Sequence, residues 1–288
     1  MVSVIFSYFQ GGAPVYRSRS KNTWISSALK VVKYNELTDT NTNFIGKVLY
    51  RFEELPSTNE YALELLSKST PEEGTAISTQ NQTAGRGQIG RKWESAPGEN
   101  LTVSVILYPN FLTAAQNFQL NKAVSLGVRD FVVSALPSAR TFVKWPNDLY
   151  VNDRKICGIL IQNAIQRNRI QNSVLGIGLN VNQNHFTWAP NATSLFLESG
   201  QVFSLEQTLL DMFFFLEKRY LQLASDTQTL NEDYLKALYR IHQESEFQKP
   251  DGQRFKGTIT GVGPAGHLLV LHGQQVGSYD LKEIQMIL

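Results

Sequence analysis

A chain of 288 residues, 42% hydrophobic and 18% charged, holds enough apolar material for one large domain, or for one with a small appendage. Its formal net charge of +2 gives no ground for a nucleic-acid or membrane-surface partner. The single cysteine, Cys157, excludes a disulfide framework within the chain, and no apolar run approaches the ~20 residues of a membrane-spanning helix.

The chain opens on MVSVIFSYF, an apolar start with no Lys or Arg before it, which makes a poor signal peptide. Arg17, Arg19, Lys21, Lys30 and Lys33 follow among serines, and no acidic residue occurs before Glu36. That composition fits an organelle transit segment; the plainer expectation is a poorly ordered extension over residues 1–45 of a cytoplasmic protein. No helix-turn-helix pair is visible in it, so no DNA partner is expected.

Lys47 to Leu55 reads as a strand. Ser57 with Glu60 forms a capping box, and Ala62, Leu65 and Leu66 then give a helical face. Gly74 to Gln80 and the alternating, β-branched run Asn100 to Tyr108 read as strands; a long helix over Ala114 to Leu136 ends before Pro137. Phe142 to Val151, Lys155 to Ala164 and Ser173 to Asn182 are strand-like, the first two joined by an Asn152-Asp153 turn. Ser204 with Gln207 caps the helix LEQTLLDMFFFLEKRYLQL, whose MFFFL run is expected in the core, and another helix spans Leu230 to Ile241. After Gln248 comes the turn Lys249-Pro250-Asp251-Gly252, then four short strands split by glycines, the pattern of a small β-barrel module.

Gly85, Gly87 and Gly90 match G-x-G-x-x-G, but a dinucleotide fingerprint must open a helix. Here Pro97 and Gly98 follow within eight residues of Gly90 and the next element is a strand, so no helix N-terminus is offered to a pyrophosphate. The loop is nonetheless suited to an anion. Arg86, Arg91 and Lys92 supply cations, the glycines allow close backbone approach, and Trp93 offers a flat face for a base. Alone it would read as a solvated basic loop.

Two further segments change that reading. Pro56-Ser57-Thr58-Asn59 places three small polar side chains at a helix start, where they suit a compact polar ligand. In VKWPNDLYVNDRKICGILIQ, Pro146-Asn147-Asp148 interrupts an apolar strand, and Lys155 begins a strand that soon becomes wholly apolar. A lysine so anchored can be held rigidly over a cleft. Cys157 reads as core, and His267 and His272 as surface residues of the small module rather than metal ligands.

Together the segments STN (Ser57 to Asn59), QTAGRGQIGRKW (Gln82 to Trp93), KWPND (Lys144 to Asp148), RKICGIL (Arg154 to Leu160) and GIGLNVN (Gly176 to Asn182) resemble the biotin protein ligases, in that family's order and spacing. The resemblance covers residues 46 to 288. It implies an α+β fold: a mixed, largely antiparallel sheet flanked by helices over residues 46–242, with a small SH3-like β-barrel over 243–288. It implies ATP and biotin as substrates, Mg²⁺ on the pyrophosphate, no metal site built from protein ligands, and a biotin carboxyl carrier domain of a carboxylase as acceptor. A monomer or weak homodimer with no membrane partner is expected.

By the same resemblance Lys155, Arg86 and Asp148 are catalytic. Lys155 meets the biotin carboxylate and the phosphate, and Asp148 steers or deprotonates the acceptor lysine. Ser57, Thr58, Asn59, Gln82, Arg86, Gly87, Gln88, Lys155 and Gly158 bind biotin; Gly85, Gly90, Arg91, Trp93, Asn147 and Asn180 bind the nucleotide. The glycine loop would be mobile when empty and would order over the adenylate. Many family members carry a basic residue where Gln88 stands, so faster escape of the adenylate is expected here. The rival functions are a lipoate or octanoate ligase or transferase of the same fold, a biotin-responsive regulator, and a degenerate binding module.

Overall fold

The computed structural model describes residues 31–36, 41–85, 87 and 93–288. The basic serine-rich start therefore lies outside the described residues, as do Arg86, Gln88, Gly90 and Arg91 of the glycine loop. Eight strands form the main sheet: β1 (Val31–Glu36), β2 (Val48–Leu55), β3 (Ala76–Gln82), β4 (Asn100–Leu107), β5 (Thr141–Lys144), β6 (Asp148–Val151), β7 (Arg154–Gln166) and β8 (Arg169–Asn180). Their order is β1-β2-β3-β4-β8-β7-β6-β5. Among them β2 and β3 alone pair in parallel. Helix α1 (Thr58–Lys68) connects those two, as a parallel pair requires a crossover.

Helices α2 (Asn117–Ala135), α3 (Leu195–Ser199), α4 (Leu205–Ser225) and α5 (Thr227–Ala237) follow. A second, antiparallel sheet holds β9 (Glu244–Gln248), β10 (Arg254–Val262), β11 (Leu268–His272), β12 (Gln275–Tyr279) and β13 (Gln285–Met286), ordered β12-β11-β10-β9-β13. Among the described residues no helix is long and apolar enough to cross a membrane.

Strand alternation explains the layering. On β4, Leu101, Val103, Val105 and Leu107 face the large core shared with α2, α4 and α5. Ile106 faces the other way, into a smaller core beneath α1 with Phe52, Leu55, Ala62, Ile77 and Val174. Thr102 and Ser104 lie on that same face but continue it as small polar side chains. The α1 side of the sheet is thus oily under the helix body and polar under its first turn.

Several elements depart from the sequence expectations. The expected strand Phe142 to Val151 is a hairpin of β5 and β6, with Trp145, Pro146 and Asn147 at the turn and a cis Trp145–Pro146 bond. The helix expected from Leu230 begins at Thr227, because Asp226 caps it by accepting from Thr229 N at 3.0 Å, and it stops at Ala237. Strand β9 joins the four expected C-terminal strands, and β1 pairs antiparallel with β2. The last part of the expected extension also belongs to the folded unit. Buried Glu217 of α4 accepts from the backbone N–H groups of Asn43 (2.6 Å), Phe44 (2.9 Å) and Ile45 (2.9 Å). Of the MFFFL run, Met212, Phe213 and Leu216 are buried and Phe214 is exposed.

The C-terminal sheet shares the larger core: Phe247, Ile259, Leu268, Val270 and Ile284 pack into the same cluster as α2 and α4. Trp145 Nε1 donates to Gly266 O at 2.8 Å, tying the β5–β6 turn to the β10–β11 turn. These contacts set one wall of the cavity described next.

Candidate active site

The polar end of the sheet opens into a cavity of about 750 Å³. Its floor is built by register. Thr102 of β4 faces Gly178 of β8, which faces Gly158 of β7, which faces Asp148 of β6. In the next row Ser104 faces Gly176, which faces Leu160. Glycine is needed twice for close approach. A β-carbon on Gly178 would lie 2.5 Å from Trp93 Cε2, and one on Gly176 would overlap Asn59 Oδ1. Trp93 therefore packs closely over the Gly158–Gly178 pair, beside the cavity that it helps to line.

One end of the cavity is the start of α1. Ser57 caps the helix by accepting from Glu60 N at 3.4 Å, so the capping residues converge there as a by-product of helix initiation. Thr58 and Asn59 follow and are buried. Gln82, at the end of β3, accepts from Thr58 N at 3.0 Å. Asn59 Nδ2 donates to Gln162 Oε1 at 2.9 Å. Small neutral donors and acceptors, each already bonded to a neighbour, make a rigid polar cap.

The other end carries charge. Lys155 Nζ lies 2.7 Å from Asp148 Oδ1 and 5.8 Å from the centre of the Trp93 ring. Lys155 reaches this face through a β-bulge. The β6–β7 register shifts between Leu149 and Tyr150, so that Ile156 and Cys157 both enter the core. Strict alternation from Gly158 would have turned Lys155 away from the cavity. Its backbone is held on both sides: Lys155 N donates to Asn191 O at 2.9 Å, and Thr193 N donates to Lys155 O at 2.8 Å. Cys157, expected as core, is fully buried beneath the floor, and burial pushes its thiol pKa up, away from nucleophile chemistry.

The structure thus gathers Ser57, Thr58, Asn59, Gln82, Gly87, Trp93, Asn147, Asp148, Lys155 and Gly158 around one cavity. Gly85 stands at its margin, where Trp93 N donates to Gly85 O at 3.2 Å. Asn147 lines the cavity, yet its side chain is spent on Ile159 O, which holds the β5–β6 turn against β7. Asn180 does not line it; Asn180 is buried and donates to Thr193 O at 2.9 Å, in the segment that holds Lys155. Arg86, Gln88, Gly90 and Arg91 lie outside the described residues.

Sequence reasoning missed Thr102, Gln162, Gly176 and Gly178, which the cross-strand register brings in, and the C-terminal wall of Gln248, Lys249, Pro250 and Lys282. For that wall a signal existed: the Lys249-to-Gly252 turn was legible, though not its position.

A neutral polar cap thus faces the Lys155 amine across a glycine floor. The biotin/lipoate A/B protein ligase family model matches residues 51–180. The chain is 30% identical over 215 residues to the biotin–[acetyl-CoA-carboxylase] ligase of Mycobacterium tuberculosis, covering 74% of this chain and 79% of that one. It is 32% identical over 183 residues to the bifunctional ligase/repressor BirA of Bacillus subtilis, covering 62% of this chain and 55% of that one. The chain thus spans about half the length of the Bacillus relative.

The biotin protein ligase of Aquifex aeolicus, solved in complex with biotin and ATP, has the same fold; the TM-score is 0.68 at 23% identity, covering 83% of this chain and 98% of that one. The chain belongs to the biotin/lipoate protein ligase family. Its α+β architecture, a mostly antiparallel sheet flanked by helices with a second small sheet at the C-terminus, is the one the sequence resemblance implied.

Proposed function

We propose that the chain is a biotin–protein ligase that forms biotinyl-5′-AMP from biotin and ATP, then transfers biotin to a lysine of a biotin carboxyl carrier domain. In the first step a carboxylate oxygen of biotin bonds to the α-phosphorus, and the bond to the β-phosphate oxygen breaks with loss of pyrophosphate. In the second the acceptor amine attacks the acyl carbon; the acyl–oxygen bond breaks, AMP leaves, and the amine proton passes to a base. The supporting observation is the opposition, in one cavity, of the Ser57–Thr58–Asn59 cap and the Lys155 amine.

The first step brings two anions together, and their repulsion is severe where water is excluded. On this reading Lys155 receives the carboxylate that leaves the polar cap, and its ammonium offsets charge on both reactants. Arg86 and Arg91 are assigned to the phosphates and Trp93 to the base side, with Gly85, Gly90 and Asn147 shaping the nucleotide end. Asn180 supports that end through the segment it holds. Asp148 pairs with Lys155 at 2.7 Å and is assigned to receive the acceptor amine. Mg²⁺ is expected to travel on the triphosphate oxygens. Among the described residues no group of three or more His, Cys, Asp or Glu is placed to hold a metal ion.

Residues 46–242 are assigned to catalysis and 243–288 to a module that walls the cavity. A cytoplasmic monomer or weak homodimer is the accompanying assignment. Incubation with biotin, ATP–Mg²⁺ and a carrier domain should add one biotin to the carrier, read by mass spectrometry. Pyrophosphate release with lipoate in place of biotin would instead favour the lipoate ligase reading.

A further inference from the structure

Ser104 lies on β4, is fully buried, and does not line the cavity, yet it touches two residues that do. Its Oγ is 2.6 Å from Asn59 Oδ1 and 2.8 Å from Thr58 Oγ1. The Asn59 amide is oriented by its other half, since Nδ2 faces Leu160 O and Gln162 Oε1. Asn59 Oδ1 is therefore an acceptor and requires the Ser104 proton. A serine hydroxyl has one proton only. With that proton spent on Asn59, the 2.8 Å contact between Ser104 and Thr58 is assigned to the Thr58 proton, donated to Ser104 Oγ. Gln82 Oε1, which accepts from Thr58 N at 3.0 Å, offers the Thr58 hydroxyl a second but longer acceptor at 3.3 Å. The chain of donors thus has a direction: Thr58 to Ser104, Ser104 to Asn59, Asn59 to Gln162.

With its proton directed away from the cavity, the Thr58 hydroxyl turns only lone pairs toward a ligand. We infer that Ser104 is a positioning residue that fixes Thr58 as a hydrogen-bond acceptor, so that the site selects a ring presenting an N–H at that point. This rests on biotin activation as the reaction and names what sets its selectivity for a cyclic urea. A ring oxygen at the same point would meet lone pair with lone pair, and the buried chain leaves Thr58 no inexpensive way to turn its proton around.

The test uses biotin and its two cyclic carbamate analogues, in each of which one ring N–H is replaced by oxygen. Pyrophosphate release is measured for the wild type, S104A, S104C and S104T. The wild type should discriminate against one carbamate by on the order of 10²–10⁴-fold in kcat/KM. S104A, by freeing the Thr58 proton, should shrink that ratio by about tenfold and raise KM for biotin, with KM for ATP within about twofold. S104T keeps the hydroxyl and should keep the ratio. If S104A does not fold, S104C, of similar volume and weak donor strength, decides in its place.

A folded, active alanine or cysteine variant with the wild-type ratio overturns the role of Ser104, as does a wild type that accepts both carbamates like biotin. A wild type that releases no pyrophosphate with biotin itself overturns the parent reading, and that outcome is seen before any variant is made.

Discussion

The two ends of the cavity are built on opposite plans. At the α1 end, Thr58, Asn59, Gln82, Ser104 and Gln162 are bonded to one another, and Thr58, Asn59 and Ser104 are buried. At the β6–β7 end, Lys155 and Asp148 form one ion pair, with the lysine side chain 33% exposed and the aspartate 24%. The difference teaches what each end has to do. A neutral ring is recognised by fixed geometry, and every bond among the receiving groups reduces the entropy lost on binding. On the proposed function a reacting carboxylate and phosphate need a cation within reach, and the part-exposed Lys155 side chain is open to a ligand.

The largest expected effect comes from removing the cation. Lys155→Ala should lower the rate of adenylate formation by about 10²–10³-fold, the scale seen when one fixed electrostatic contact to developing charge is lost. Its KM for biotin should move far less, because the ring end is intact. A single-turnover assay of biotinyl-5′-AMP separates the two quantities. If K155A raised KM alone, the division of labour between the ends would be wrong.

The complementary variant attacks the ring end. Gly176→Ala places a β-carbon on Asn59 Oδ1, so the amide must swing out of the Ser104–Gln162 chain. KM for biotin is expected to rise about tenfold, the equivalent of one or two lost hydrogen bonds, with a smaller fall in the maximal rate. Overpacking should also cost about 1–3 kcal/mol of stability, measurable by urea denaturation. A variant that lost rate but kept its KM would merge the two ends into one unit.

These two positions also mark what the sequence discloses. Lys155 could be suspected because a charged residue opens an apolar strand, and Ser57 to Asn59 because a helix cap is a local signal. The bulge that turns Lys155 toward the cavity could not be seen, since it arises from pairing with β6 and leaves no mark in RKICG. Gly176 and Ser104 are likewise ordinary in their own strands and acquire meaning only when β4 and β8 align. The Phe142-to-Val151 run read as one strand because its apolar pattern continues across the Pro146 break; the hairpin reverses the chain there instead. Local chemistry was legible, and register between distant strands was not. The C-terminal wall is the plainest case, because residues about a hundred positions beyond Lys155 complete its cavity.

A second lysine sharpens the comparison from outside the site. Lys122 on α2 is buried, and its ammonium donates to Asn231 Oδ1 at 2.6 Å rather than pairing with a carboxylate. The rings of Phe118 and Tyr234 lie 5.8 and 5.6 Å from it, too little compensation for lost hydration, and burial lowers its pKa to about 8. Where Lys155 shares its charge with Asp148, Lys122 holds its own at the expense of stability. The sign follows from proton counting. Between pH 8 and 10.5 the unfolded chain binds a proton at this position that the folded chain has released, so this group makes stability rise with pH in that window. Below pH 8 both states are charged and the penalty is constant. Lys122→Met should therefore be at least as stable as the wild type at pH 7, with the difference shrinking as pH rises. Urea unfolding from pH 8 to about 9.5 should give the wild type the steeper rise, by at most about 1.4 kcal/mol per pH unit, the titration of the tyrosines being common to both proteins. Identical slopes would mean that the Lys122 ammonium is paid for by its ring and amide neighbours, and that a buried lysine in this fold needs no carboxylate to keep its charge.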